Sequence, residues 1–297
     1  MKQIILTLLL LQILSSSNFA FDEPSYKHRG FDYDGDERSD LSVFRQSEGI
    51  WYIQQTIGGF LAVKFGLGSD KPVPVDYDGD YKTDIAVFRP SNGYWYIQRS
   101  SRLGFTAIPF GSADDIPVPG DYNGDQKDDI AVFRPSNGVW YTLNLDDNQF
   151  TAFHFGAPGD VPVPADYDGD WKTDFAVFRN GIWYIQGSRD GFKAVRFGLM
   201  GDKPVAADYD YDQKDDVAVF RPSDRVWYIL GSRQGFSAMQ FGLSTDKLTP
   251  ADYDGDGKTD IAVYRDGAWY VQRSLLGYAA FTFGNSTDLP TQNVFVP

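Results

Sequence analysis

The chain has 297 residues, carries a net charge of −14 at pH 7, is 42% apolar and contains no cysteine. Such a length can bury a sizeable core, while the lack of cysteine excludes disulfide staples and a lipid anchor on an N-terminal cysteine. The acidic balance argues against nucleic acid or an anionic membrane surface as partner. In chain order, Met1-Lys2 leads into an apolar run over residues 4–14, broken only by Thr7 and Gln12, and then into Ser15-Ser16-Ser17 and Asn18-Phe19-Ala20. This is the pattern of a secretory signal peptide over residues 1–20. The run is only 11 residues long, and a membrane-spanning helix needs about 20. Residues 21–297 are therefore expected to be secreted, extracellular and not inserted in a membrane.

Beyond residue 31 one stretch recurs. DYDGDYKTDIAVFR at residues 76–89 has close copies beginning at Asp32, Asp121, Asp166, Asp208 and Asp252. Each places acidic or amide side chains at positions one, three, five and nine, followed by an apolar run ending in Phe-Arg or Tyr-Arg. The side chains are Asp32, Asp34, Asp36 and Asp40; Asp76, Asp78, Asp80 and Asp84; Asp121, Asn123, Asp125 and Asp129; Asp166, Asp168, Asp170 and Asp174; Asp208, Asp210, Asp212 and Asp216; and Asp252, Asp254, Asp256 and Asp260. Calcium takes about six to eight oxygens, and alternate side chains on a curled loop converge on one such ion. Up to six Ca2+ ions are expected. Ordinary acidic turns have no reason to keep this spacing in every copy. Positions one, three, five and nine of the six loops hold 23 of the 41 acidic residues, so bound calcium would return most of the net charge and supply the staple that disulfides do not.

The copies start 44, 45, 45, 42 and 44 residues apart, a period that belongs to solenoids, propellers and arrays. Within the second copy, four short strands are expected over residues 72–77, 84–89, 94–98 and 105–110. Pro90-Ser91-Asn92-Gly93 supplies a hairpin turn between the second and third strands, and Gly111 ends the fourth. The prediction is an all-β, six-bladed β-propeller of four-stranded antiparallel blades, with the calcium-binding loops between first and second strands. Trp51, Trp95, Trp140, Trp183, Trp227 and Trp269, each followed by Tyr, recur in phase and read as core, because a blade is packed on both faces. The first blade lacks residues for its innermost strand. Phe283-Gly284, Asp288 and Pro290 repeat the lead-in Phe65-Gly66, Asp70 and Pro72, so residues 291–296 are expected to fill that place.

The motif DYDGDxxxDxAVFR, recurring in register with a Phe-Gly turn over about residues 31–297, resembles the FG-GAP/VCBS repeat family, the calcium-loop propellers of integrin α-subunit heads and some lectins. The resemblance implies calcium held by side chains one, three, five and nine and by the backbone carbonyl at position seven. Here position seven is Arg38, Lys82, Lys127, Lys172, Lys214 and Lys258. Position six, usually glycine in such loops, is Glu37, Tyr81, Gln126, Trp171 and Gln213, with Gly257 alone conforming, and position four of the fifth loop is Tyr211 instead of glycine. Left-handed backbone at such residues costs about 1–2 kcal/mol.

Little in the chain points to catalysis. His28 and His154 form no cluster, and no nucleophile motif or phosphate loop is present. The expectation is a non-enzymatic recognition module for carbohydrate or a cell-surface glycoprotein, of the kind used in cell adhesion. Its ligand is expected on the face opposite the acidic loops, where residues 46–49 differ from Asn180-Gly181 at the equivalent turn; Tyr81 and Trp171 mark a rival platform on the loop face. The alternatives are a calcium-assisted polysaccharide lyase using Tyr or Arg/Lys as base, and a structural matrix protein.

Overall fold

The computed structural model describes residues 30–293. The signal peptide expected over residues 1–20 and the tail from residue 294 lie outside them. The apolar run after each acidic loop becomes a strand because β-branched and aromatic residues suit a sheet covered on both sides. In Ile85–Arg89 the first four residues are all buried. With its hairpin partners this run builds one blade: Lys71–Pro72, Ile85–Arg89, Tyr94–Gln98 and Thr106–Pro109, from innermost to outermost. Among the described residues there are six such four-stranded sheets, each antiparallel throughout, as expected for a six-bladed propeller.

The innermost strands are shorter than expected. Ladder pairing there is confined to two residues, Lys71 and Pro72 against Phe88 and Val87. Pro72 and Pro74 have no N–H to donate. Only isolated bonds continue the contact, from Val73 N to Ala86 O at 2.8 Å and from Asp84 N to Val75 O at 2.8 Å.

Closure also differs in detail. The first blade takes its innermost strand from the far end of the chain, but the pairing residues are Leu289–Pro290, set against Phe44 and Val43. Thr291–Asn293 turns away as a short 3-10 helix, and residues 294–296 lie outside the described chain. The lead-in is the same as in other blades because the same side chains act: Arg45 donates to Asp288 at 2.8 and 3.0 Å, as Arg89 does to Asp70 at 2.9 Å. Each such arginine also lies over a strand tyrosine, Arg45 at 4.3 Å from the Tyr52 ring centre. Gln292 Nε2 donates to Asp40 O at 2.6 Å and Asn293 Nδ2 to Leu248 O at 3.0 Å, tying the turn to the first and last blades.

The core lies between blades. Val73, Ala86, Phe88, Trp95 and Ile97 of the second blade pack with Ile130 and Val132 of the third. All six tryptophans of the Trp-Tyr pairs are fully buried, and each of their indole N–H groups donates to the carbonyl of its blade's Phe-Gly phenylalanine, as Trp95 does to Phe110 at 2.9 Å. The Trp-Tyr and Phe-Gly repeats are thus parts of one core device. Two further seams run round the ring. The N–H at loop position eight donates to the position-one carbonyl of the preceding blade, as Thr83 does to Asp32 at 2.6 Å and, across the closure, Ser39 to Asp252 at 2.7 Å. The position-seven side chain lies over the preceding blade's position-four glycine; a Cβ on Gly79 would sit 3.0 Å from Lys127 Cγ, and one on Gly255 3.0 Å from Arg38 Cγ.

Candidate metal centres

The fourth blade shows how an acidic loop is held. Asp166 caps its own turn, accepting from Gly169 N at 2.7 Å on Oδ1 and from Trp171 N at 2.9 Å on Oδ2. Asp170 accepts from Lys172 N at 3.1 Å and from the Ser188 hydroxyl at 2.6 Å. Asp174 accepts from Tyr167 N at 2.9 Å and Ser188 N at 2.7 Å. Asp168 uses one oxygen, Oδ2, to take the N–H groups of Arg189 and Asp190, both at 2.9 Å. Its other oxygen, Oδ1, is buried with no hydrogen-bond partner.

That orphan oxygen recurs at position three. Asp34, Asp78, Asp168, Asp210 and Asp254 each bury an Oδ1 without a partner, and Asp168, Asp210 and Asp254 are buried as whole residues. A buried carboxylate oxygen left unpaired is costly unless something cationic faces it. In the same five loops three carboxylates bring oxygens within 4.8 Å of one another, close enough for one ion to meet all three. The groups are Asp76, Asp78 and Asp84; Asp166, Asp168 and Asp174; Asp208, Asp210 and Asp216; Asp252, Asp254 and Asp260; and, in the first loop, Asp32, Asp34 and Asp36. The donor set is all oxygen, which suits a hard cation.

The structure therefore gathers positions one, three and nine in four loops. Asp80, Asp170, Asp212 and Asp256 at position five stand outside those groups and are engaged by Ser100, Ser188, Ser232 and Ser274 hydroxyls. Asp40 at position nine stands outside the first group. In the third loop, where position three is Asn123, the carboxylates of Asp121, Asp125 and Asp129 form no such group. Position six has left-handed backbone in every loop, from φ 64° at Tyr81 to 88° at Gly257, and Tyr211 adopts φ 62° where its counterparts are glycine. The side chain of Tyr211 occupies the space over Gly257, where a Cβ would collide with its ring carbons Cε2 and Cδ2.

Sequence reasoning overlooked the hairpin between third and outermost strands. Thr56, Ser100, Ser188, Ser232 and Ser274 donate both hydroxyl and N–H into the acidic loop of their own blade. The available signal was a hydroxyl residue 14 or 16 positions after the position-nine aspartate in five of the six loops. Electrostatics reflect this crowding. Burial pushes the carboxyls of Asp40, Asp84, Asp129, Asp174, Asp216 and Asp260 up to about 7, against the lowering effect of the hydrogen bonds they accept. A second overlooked pair is Asp128 and Asp215 at position eight, which accept from Asp76 N at 3.0 Å and Asp166 N at 2.9 Å. Burial, then the neighbouring Asp76 charge, holds the Asp128 carboxyl well above the usual range. Both line a cavity of about 270 Å³ at the inner ends of the loops, with Tyr81 and Trp171 on its wall.

Residues 76–132, the second copy and the loop of the third, match the model of the FG-GAP-like repeat family. The other copies carry the same signature in register and build the same blade. The second copy is an FG-GAP-like repeat, and the propeller is built of copies similar to it. No curated protein sequence matches it. Among solved structures, the FG-GAP-like propeller is similar to an Agrocybe aegerita lectin described as recognising non-reducing terminal N-acetylglucosamine, at 15% identity and TM-score 0.55, covering 86% of this chain and 80% of the lectin. It is also similar to virginiamycin B lyase from Staphylococcus aureus, solved with quinupristin, at 7% identity and TM-score 0.56 over 91% of this chain and 94% of that one. A third is BBS1N in complex with ARL6DN, at 13% identity and TM-score 0.51, covering 86% and 80%. At these identities the likeness is one of fold. Among the described residues no helix is long and apolar enough to cross a membrane.

Proposed function

We propose that the protein is a secreted, calcium-stabilised propeller that recognises carbohydrate, free or on a cell-surface glycoprotein, and performs no catalysis. Calcium would be held by the five carboxylate groups, where the buried, unpaired Oδ1 at position three supports the assignment. When bound it supplies charge neutralisation and cross-linking of the loop. The chain's own residues do the rest: position one shapes the turn, and position three grips the neighbouring hairpin.

The observation that carries the recognition reading is a belt of exposed aromatic rings. Phe60, Phe105, Phe150, Phe192, Phe236 and Tyr278 are 58–64% exposed. Each meets the Phe-Gly phenylalanine of the preceding blade edge-on, at centroid distances of 5.9–6.4 Å. Rings fixed at an edge with a face left open are low-entropy platforms for the apolar face of a sugar. The belt is regular in every blade, which favours it over the variable turns of the opposite face. Six weak sites on one ring would act by avidity.

A glycan array probed with the protein in millimolar calcium, and again in chelator, tests the reading. Binding in calcium is expected, and it should fall when Phe105 and Phe150 are both changed to alanine. Retained binding in that variant would move the site away from the rim. No binding to any glycan, together with unsaturated products from an acidic polysaccharide, would overturn recognition in favour of a lyase.

A further inference from the structure

The third blade departs from the other five where the metal is expected. Asn123 stands at position three. Asparagine is an ordinary calcium ligand there, so the residue type alone decides nothing. The hydrogen bonds do. Asn123 Oδ1, the atom that would face an ion, already accepts from Asp125 N at 2.8 Å, and its Nδ2 donates to Asp125 Oδ2 at 2.9 Å. In the other loops the position-three carboxylate leaves an Oδ1 buried and unpaired. Here the single position-three oxygen has a partner, and the buried unpaired atom that marks the other five loops is missing.

The hairpin of the same blade is rebuilt to match. Where the other blades carry a serine or threonine hydroxyl stands Asn144, whose Nδ2 bridges Asp125 Oδ2 at 2.9 Å and Asp129 Oδ1 at 3.0 Å. Its Oδ1 takes the N–H groups of Asp146 and Asp147 at 2.9 and 3.0 Å, in place of a position-three aspartate. Lys127 pairs with Asp146 at 2.5 Å, placing a fixed cation beside the loop. Loop and hairpin are thus closed on each other by amides and one ammonium.

We propose that the chain takes five calcium ions, one in each loop except the third, and that the loop at residues 121–129 is a metal-free copy closed by Asn123 and Asn144. The inference rests on the calcium reading of the other five loops. Its consequence is a ring whose third blade keeps its order when calcium is withdrawn, while the other hairpins lose a partner of their position-three grip.

Native mass spectrometry of the full chain, titrated with calcium alone, counts the ions. Five are expected in the unaltered protein, five in Asn123→Ala, four in Asp168→Ala, and six when Asn123→Asp is combined with Asn144→Ser. Six ions in the unaltered protein, or the loss of one in Asn123→Ala, would overturn the proposal. No bound calcium at all would instead overturn the metal reading beneath it. Amide exchange provides a readout that needs no variant. On adding chelator, exchange should rise at Arg189-Asp190 and Leu275-Leu276 and stay unchanged at Asp146-Asp147; equal rises in all three hairpins would count against a metal-free third blade.

Discussion

Replacing Asp288 by alanine asks whether the returning C-terminal segment is the clasp of the ring. Asp288 is fully buried and accepts from Arg45 Nε at 2.8 Å, Arg45 Nη2 at 3.0 Å and Asn285 N at 2.9 Å. Removing one partner of a buried ion pair costs about 3–5 kcal/mol. Arg45 is partly exposed and can turn to water, which places the local loss near the lower end, about 3 kcal/mol. Asp70→Ala removes an equivalent pair in the second blade and serves as the control. There the innermost strand is tied to the next by its own loop, whereas Leu289–Pro290 pairs with a strand more than 240 residues away in sequence. Once Asp288 is gone, the bonds from Gln292 to Asp40 and from Asn293 to Leu248 are also at risk, at about 1 kcal/mol each. A domain of this size loses about 2–4 °C of melting temperature per kcal/mol, so Asp70→Ala should fall by about 6–12 °C and Asp288→Ala by about 10–20 °C. Melts followed by circular dichroism in millimolar calcium make the comparison. Equal falls, or a milder one for Asp288→Ala, would refute the clasp.

Calcium itself should raise the melting temperature: at 100 times Kd each occupied site adds about 2.7 kcal/mol, and identical melts in calcium and chelator would remove the metal from the account. In chelator the pH dependence comes from the position-nine carboxyls, which burial holds at about 7 against an ordinary 3.8. A carboxyl raised in the folded state favours folding most below its unfolded value, and that advantage is lost as pH rises through about 7. The chelated protein should therefore melt higher at pH 5 than at pH 8, while the gain from calcium is smaller at pH 5 because protons compete for the ligands; a chelated protein most stable at pH 8 would contradict this. Gly257→Ala should cost about 1–3 kcal/mol by overpacking against Tyr211 on top of about 1–2 kcal/mol for its left-handed backbone, and only the overpacking part should recover when Tyr211→Gly is added. Additive losses in that double-mutant cycle would show that the two do not share the space.

Periodicity made the blades legible. A run such as IAVFR after an acidic loop, a turn, then Trp-Tyr reads as two strands of a doubly covered sheet, and six copies in register, each with four short strands, point to a propeller. What escaped the sequence were contacts across that period. Thr83 N to Asp32 O, Lys127 over Gly79 and Phe105 against Phe65 join residues whose spacing is set by the angle between blades, not by any local pattern. The closing strand was placed a few residues late because every innermost strand has only two residues. Pairing therefore falls on Leu289 and Pro290 of the lead-in and is over before Thr291. The carboxylate groups were half legible. Spacing pointed to all four positions; the structure groups one, three and nine in four loops but one, three and five in the first, where Asp36 is grouped although the Thr56 hydroxyl engages it.

The position-three aspartate explains how an ion could matter to a ligand it does not touch. In the first blade Asp34 holds the N–H groups of Ile57 and Gly58 at 3.0 and 2.7 Å through one oxygen and turns the other, unpaired, toward the carboxylate group. Two residues after Gly58 the chain reaches Phe60, the exposed ring of that blade. A cation facing the free oxygen would relieve the repulsion among the carboxylates and fix the aspartate, and the fixed aspartate would fix the hairpin that sets the ring. Withdrawing such a cation would loosen this chain of contacts at its first link. Calcium dependence of sugar binding would then arise from ordering of the rim and need no sugar oxygen on the metal. The third blade supplies the internal control: Phe150 comes after a hairpin held by Asn144 in place of a position-three carboxylate. Its ring should keep its place in chelator while the other five loosen.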